Sequence, residues 1–223
     1  MQLHHHIDGR EPLSAAVVAA LDAFVDRVED APAGVVPVLR LTGAPLGEQE
    51  PSRTGLVNKW ERVLRRLERL GRPTVATVRG DCGGLAAEAL LATDYRIASV
   101  DARLRLPAGP GGVWPGMGLY RLANQIGFAR VRRSVLFGAP LSSVRALEID
   151  LVDEVAQDVQ TAVTAAVARL GAADGQDVAV RRQLMLDATT TSFEEALGRH
   201  LAACDRLLRR AEEEKVADVA IVG

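Results

Sequence analysis

The tightest constraint on this chain is the run Val78-Arg79-Gly80-Asp81-Cys82-Gly83-Gly84-Leu85-Ala86-Ala87-Glu88. An apolar, β-branched segment over 74–78 reads as a strand, and 85–92 is made of strong helix formers. The chain must therefore pass from strand to helix within a few residues. Gly83 and Gly84 supply backbone conformations that other residues resist. The first N–H groups of the helix then lack intrahelical acceptors and face whatever lies in front of them, which makes an anion site. Glu88 is expected in the first turn of that helix, close enough to share a pocket with those N–H groups.

At 223 residues, 48% hydrophobic and 25% charged, the chain can bury a full core as one domain with a helical appendage. A net charge of −2 argues against nucleic acid and anionic membrane as partners. The two cysteines, Cys82 and Cys204, match neither metal nor disulfide spacing, so no metal site is expected and a reducing cytoplasm is the default. No apolar run approaches the roughly 20 residues that span a bilayer. Basic residues are nearly all arginine, Lys59 and Lys215 being the only lysines, which fits a GC-rich coding sequence.

Along the chain, His4-His5-His6 cannot all ligate one metal, because consecutive strand residues point to opposite faces; a solvated edge strand or an expression remnant is expected. Ser14 is placed to cap a helix whose stripe is Val17, Leu21, Phe24 and Val28. Residues 35–41 read as a strand and 46–54 as a polar loop. The pattern Leu56, Trp60, Val63, Leu64, Leu67, Leu70 is an amphipathic helix whose arginine face is expected to be solvated. Strand, helix, strand, helix, strand predicts a mainly parallel sheet with ligands at the carboxyl ends of its strands. Short strands follow at 95–99 and 102–106. The segment Pro107-Ala108-Gly109-Pro110-Gly111-Gly112-Val113-Trp114-Pro115-Gly116 cannot be regular structure. Helices are expected over 119–126, 131–137, 144–149, 161–170, 178–188 and 193–213, with a short strand at 152–155. That pattern divides the chain into an α/β core over 1–157 and a helical region over 158–223.

The run Val78-Arg79-Gly80 … Gly83-Gly84 … Glu88 … Ala92-Thr93-Asp94-Tyr95-Arg96-Ile97-Ala98-Ser99 resembles the signature segment of the crotonase (enoyl-CoA hydratase/isomerase) superfamily. In register with it, Leu39-Arg40-Leu41-Thr42-Gly43 is similar to that family's first L-T-G strand, and 107–116 to its proline-glycine loop. Ala146 through Val155 and Ser192-Phe193-Glu194-Glu195-Ala196-Leu197 resemble its later segments. The resemblance implies a spiral of ββα units, a helical carboxyl-terminal region that covers the site and joins subunits, a homo-trimer or hexamer, and an acyl-CoA thioester as substrate without any other cofactor.

It also implies roles. Such proteins hold the thioester oxygen, as it becomes an enolate, with two backbone N–H groups, each lowering the barrier by about 3 to 4 kcal/mol in a dry site. One donor falls on Leu85, supported by Gly84; the second stays unassigned, because the loop after Gly43 departs from the pattern and counting lands on Glu50-Pro51-Ser52-Arg53. Glu88 fits the first of two glutamates used for acid/base work. Ala108 stands where the second is expected. Asp81 reads as a turn former or a substitute acid. The lone glutamate and degenerate first loop look most like the DpgB-type proteins of the 3,5-dihydroxyphenylglycine pathway in glycopeptide antibiotic biosynthesis. That resemblance implies dehydration and aromatisation of a polyketide-CoA to 3,5-dihydroxyphenylacetyl-CoA beside a type III polyketide synthase and a second crotonase homologue. The alternatives are a non-catalytic partner that activates the synthase and an ordinary enoyl-CoA hydratase or isomerase.

Overall fold

The computed structural model of the protein describes residues 3–45, 53–106, 116–173 and 175–222. In chain order the first of two compact units, Met1–Gly175, carries β1 (Leu3–Asp8), α1 (Ala15–Glu29), β2 (Pro37–Gly43), α2 (Thr54–Glu68), β3 (Val75–Gly83), α3 (Gly84–Leu91), β4 (Tyr95–Ser99) and β5 (Arg103–Arg105). It continues with α4 (Gly118–Gln125), α5 (Phe128–Phe137), β6 (Leu141–Ser142), α6 (Ser143–Glu148), β7 (Glu154–Ala156) and α7 (Val159–Gly171). The second unit, Gln176–Gly223, holds nearly all of α8 (Gly175–Ala188) and the whole of α9 (Phe193–Val222). Helix α7, placed with the helical region by its sequence, packs Val159, Val163 and Ala166 on the sheet with Val38, Val75 and Ile97.

The strands form one α/β sheet of order β1-β2-β3-β4-β7, each neighbouring pair parallel, as the alternation of strands and helices requires. Leu39, Leu41, Ala76 and Val78 pack under Phe24, Trp60, Leu64 and Leu90 in the main core. Ser14 caps α1 by accepting from the Val17 N–H at 3.2 Å. The arginine face of α2 is less solvated than its sequence suggests, since Arg66 binds Asp22, Asp26 and Glu29 of α1.

Strand β3 does not stop at Val78. Gly80, at φ +61, bends the strand so that residues 75–78 pair with β4 and residues 81–83 pair with β5. Asp81 consequently lies inside a strand and pairs with Arg105 at 3.1 Å, which replaces the turn-forming role expected from its sequence. The histidine run is an edge strand, the first of the two expected readings, with His6 exposed. His5 stacks on Phe24 with ring centroids 5.1 Å apart, and burial lowers its pKa.

The Thr-Asp-Tyr-Arg segment after α3 has a structural task. Asp94 accepts from the Thr74 N–H and hydroxyl, both at 2.9 Å, tying β3 to β4. The buried Arg96 guanidinium donates to the carbonyls of Leu91 and Thr93 and to Gln125, satisfying acceptors that the end of α3 leaves open. At the other end of α3, Gly9, Gly43, Gly83 and Gly84 come together. Gly84 sits at φ +51, and a Cβ there would lie 2.6 Å from the Gly9 carbonyl oxygen. Gly84→Ala should therefore destabilise the protein by roughly 1–3 kcal/mol in urea denaturation. Gly55→Ala, on a helix with open space around it, should be neutral or stabilising; equal effects at the two sites would contradict this account of the turn.

Candidate active site

Helix α3 begins at Gly84, so Leu85 is its second residue and its N–H has no intrahelical acceptor. Leu85 itself is 1% exposed. Glu88 follows three residues later on the same helical face. It lies beyond the first turn, contrary to expectation, because the helix starts at Gly84. There its role is not that of a surface charge on the helix dipole: Glu88 is 0% exposed.

Two donors fix that carboxyl. The Trp60 indole N–H from α2 donates to Oε2 at 2.5 Å, and the Gly116 N–H donates to Oε1 at 2.8 Å. Desolvation nevertheless wins. Burial, reinforced by repulsion from Glu61, pushes the Glu88 pKa up to about 8 against the opposing pull of Trp60, Gly116 and Arg121. At neutral pH the group is a carboxylic acid, with a proton to give and a carbonyl oxygen to accept one. Burial also pushes the Cys82 thiol up to about 12, so no thiolate is poised beside the turn.

A second carboxylate stands close by. The Met117 N–H donates to Glu61 at 2.6 Å, next in the chain to the Gly116 N–H that serves Glu88. A Cβ on Gly116 would collide with both carboxylates. Glu61 is held in turn by Arg121, 5% exposed, which also binds Glu68 at 2.6 Å. Arg121 therefore compensates two acidic residues of α2, and among the described residues Glu88 has no partner cation in contact. Consecutive N–H groups at the start of α4 thus clamp two neighbouring carboxyls, one ion-paired and one neutral.

Sequence reasoning singled out Glu88, Leu85 and Gly84, which the structure places in the one helix α3. It missed Trp60, which reads as core, and the trio Glu61, Glu68 and Arg121. The signal was present: Glu61 and Glu68 are seven residues apart on α2, and Arg121 interrupts the apolar Leu119–Leu122 spacing. The second oxyanion donor was sought in the loop after Gly43. Ala44 is buried with its Cβ beside Gly83, and Pro45 abuts Gly84. Residues 46–52, including Glu50, Pro51 and Ser52, and residues 107–115, including Ala108, lie outside the described residues. Among the described residues no group of three or more His, Cys, Asp or Glu could hold a metal ion.

The chain matches the Enoyl-CoA hydratase/isomerase family over residues 44–217. It belongs to that family. An Amycolatopsis orientalis protein called an enoyl-CoA-hydratase is 49% identical over 206 residues, 92% of this chain and 94% of that protein. A solved Pseudomonas aeruginosa protein is 27% identical, with a TM-score of 0.71 over 89% of this chain and 92% of its own. An enoyl-CoA hydratase/isomerase from Marinobacter aquaeolei shares the fold at 18% identity, with a TM-score of 0.77 over 93% of this chain and 88% of its own.

The Trp60 indole proton reports on Glu88 directly. Its NMR resonance should titrate with a midpoint near pH 8. Glu61→Gln removes a repelling charge from the ionised form, so the midpoint should fall; an unchanged or raised midpoint would contradict the electrostatic coupling of the two glutamates.

Proposed function

We propose that the protein adds water to, or removes it from, a CoA thioester at the carbons next to the carbonyl, with Glu88 as acid/base and the Leu85 N–H as one oxyanion donor. The observation that carries this reading is the buried, neutral Glu88 carboxyl one helical turn from a helix-start N–H that has no intrahelical acceptor. One carboxylic acid suffices for elimination. Its hydroxyl oxygen gives a proton to the departing hydroxyl, which leaves as water, while its carbonyl oxygen takes the α-hydrogen. The acid ends neutral, protonated on the opposite oxygen, and the substrate has lost one water. Negative charge that builds on the thioester oxygen meets the Leu85 N–H. Glu61, ion-paired to Arg121, is a positioning residue: it holds the Met117 N–H and so the Gly116 donor.

The name of the Amycolatopsis orientalis relative supports a simple enoyl-CoA as the first substrate to test. A finer reading, favoured by Ala108 in place of a second glutamate, is a cyclised polyketide-CoA whose dehydration completes an aromatic ring, as in 3,5-dihydroxyphenylacetyl-CoA formation. The neighbouring carbonyls of such a thioester make its α-hydrogen acidic, and aromatisation supplies the driving force. In that setting the protein would act beside a type III polyketide synthase.

Glu88→Gln should lower kcat by about 10²- to 10⁴-fold while KM changes little. In the wild type kcat should fall as pH rises through about 8, because the protonated form is the active one. Crotonyl-CoA and a polyketide-CoA in parallel assays separate the two substrates. Unchanged turnover in Glu88→Gln would overturn the catalytic reading and leave a non-catalytic, synthase-activating partner.

A further inference from the structure

The sheet has two faces. Leu39, Leu41 and Val78 point into the main core beneath α1, α2 and α3. The intervening residues point the other way, where α7 covers Val36, Val38, Val75 and Ile97. Beside the amino end of α7 that face turns from apolar to polar and forms a groove of about 330 Å³, with His4, His6, Arg40, Thr42, Arg79 and Gln160 in its lining and Val38, Val159 and Val163 as an apolar wall. It lies on the opposite side of the sheet from α3, so it is separate from the thioester site.

The register brings the cations together. His6 lies beside Arg40, Arg40 beside Thr77, and Thr42 beside Arg79, so the two arginines are diagonal neighbours on adjacent strands. Their surroundings set them apart from other arginines of this protein. Arg66, Arg105 and Arg121 have carboxylate partners, whereas among the described residues Arg40 and Arg79 form no ion pair. The carboxylate that senses Arg79, Asp158, is occupied with capping α7 through the Gln160 and Thr161 N–H groups and the Thr161 hydroxyl. His6 is bonded to the Thr42 hydroxyl at 2.8 Å, and His4 Nδ1 is buried with no hydrogen-bond partner. Arg40 and Arg79 are both exposed, so solvent screens the charges that their diagonal placement brings together. A bound dianion would accept from both guanidinium groups at once.

We propose that this groove binds a phosphate-class dianion between Arg40 and Arg79, with any apolar body of the ligand against Val38, Val159 and Val163. Guanidinium forks match phosphate oxygens, and the groove falls within the usual size of small-molecule sites. Inorganic phosphate and phenyl phosphate, titrated calorimetrically at constant ionic strength, distinguish the two sources of that chemistry. Both should bind saturably. Affinity at least tenfold higher for phenyl phosphate identifies a phosphomonoester with an apolar body, and equal affinities identify free phosphate. Arg40→Gln and Arg79→Gln should each weaken binding at least tenfold while circular dichroism stays unchanged, and the His4 and His6 ring resonances should shift with ligand in the wild type. Absence of saturable binding, including through occupation of the groove by a second copy of the chain, would overturn the proposal, as would affinity unchanged in both variants.

Discussion

Burying the Glu88 carboxyl with two N–H donors but, among the described residues, no cation in contact is the constraint that the surrounding structure meets. An ionised carboxylate in that position would be far too costly, so the group keeps its proton to about pH 8. Its pKa is raised relative to the unfolded chain, so folding takes up a proton between the ordinary carboxylate range and about 8. Stability from this group is therefore fully present at low pH and declines as pH rises across that window. A stabilising arrangement would have offered an arginine. The protein has one within reach, Arg121, and engages it with Glu61 and Glu68 instead. The site gives up some stability at neutral pH and gains a proton-bearing group in a dry setting, the combination that acid/base catalysis needs.

Everything that fixes Glu88 depends on where α3 starts. The bend at Gly80 moves β3 from β4 to β5, and the glycines of three strand ends then pack so closely that side chains are excluded at Gly9, Gly83 and Gly84. That close packing sets the position of the Leu85 N–H. Arg96 secures the far end of the same helix, and Trp60 and Gly116 reach in from α2 and the start of α4. Two other parts of the chain thus meet α3 at one carboxyl.

Much of this was legible in sequence, because the features that carry it are local. Alternating strand and helix patterns pointed to the parallel sheet, and the glycine pair marked the passage from β3 to α3 with Glu88 in that helix. What escaped was long-range. Trp60 looks like any apolar helix residue until its indole N–H is seen to donate across 28 positions, and Glu61 and Glu68 look like solvated charges until Arg121 is brought to them. The bend at Gly80 was hidden for the same reason, since a strand that changes partners reads locally as one that ends. The Asp94–Arg96 segment was legible as a motif, while its task, tying strands and closing the end of α3, needed coordinates.

The most direct measurement is a crystal structure of the protein with a non-hydrolysable acyl-CoA thioester analogue. The account predicts the carbonyl oxygen of the analogue within hydrogen-bonding distance of the Leu85 N–H, and the carbons beside it facing the Glu88 carboxyl. An analogue bound with its carbonyl away from the start of α3, or with Glu88 still sealed from it, would contradict the account.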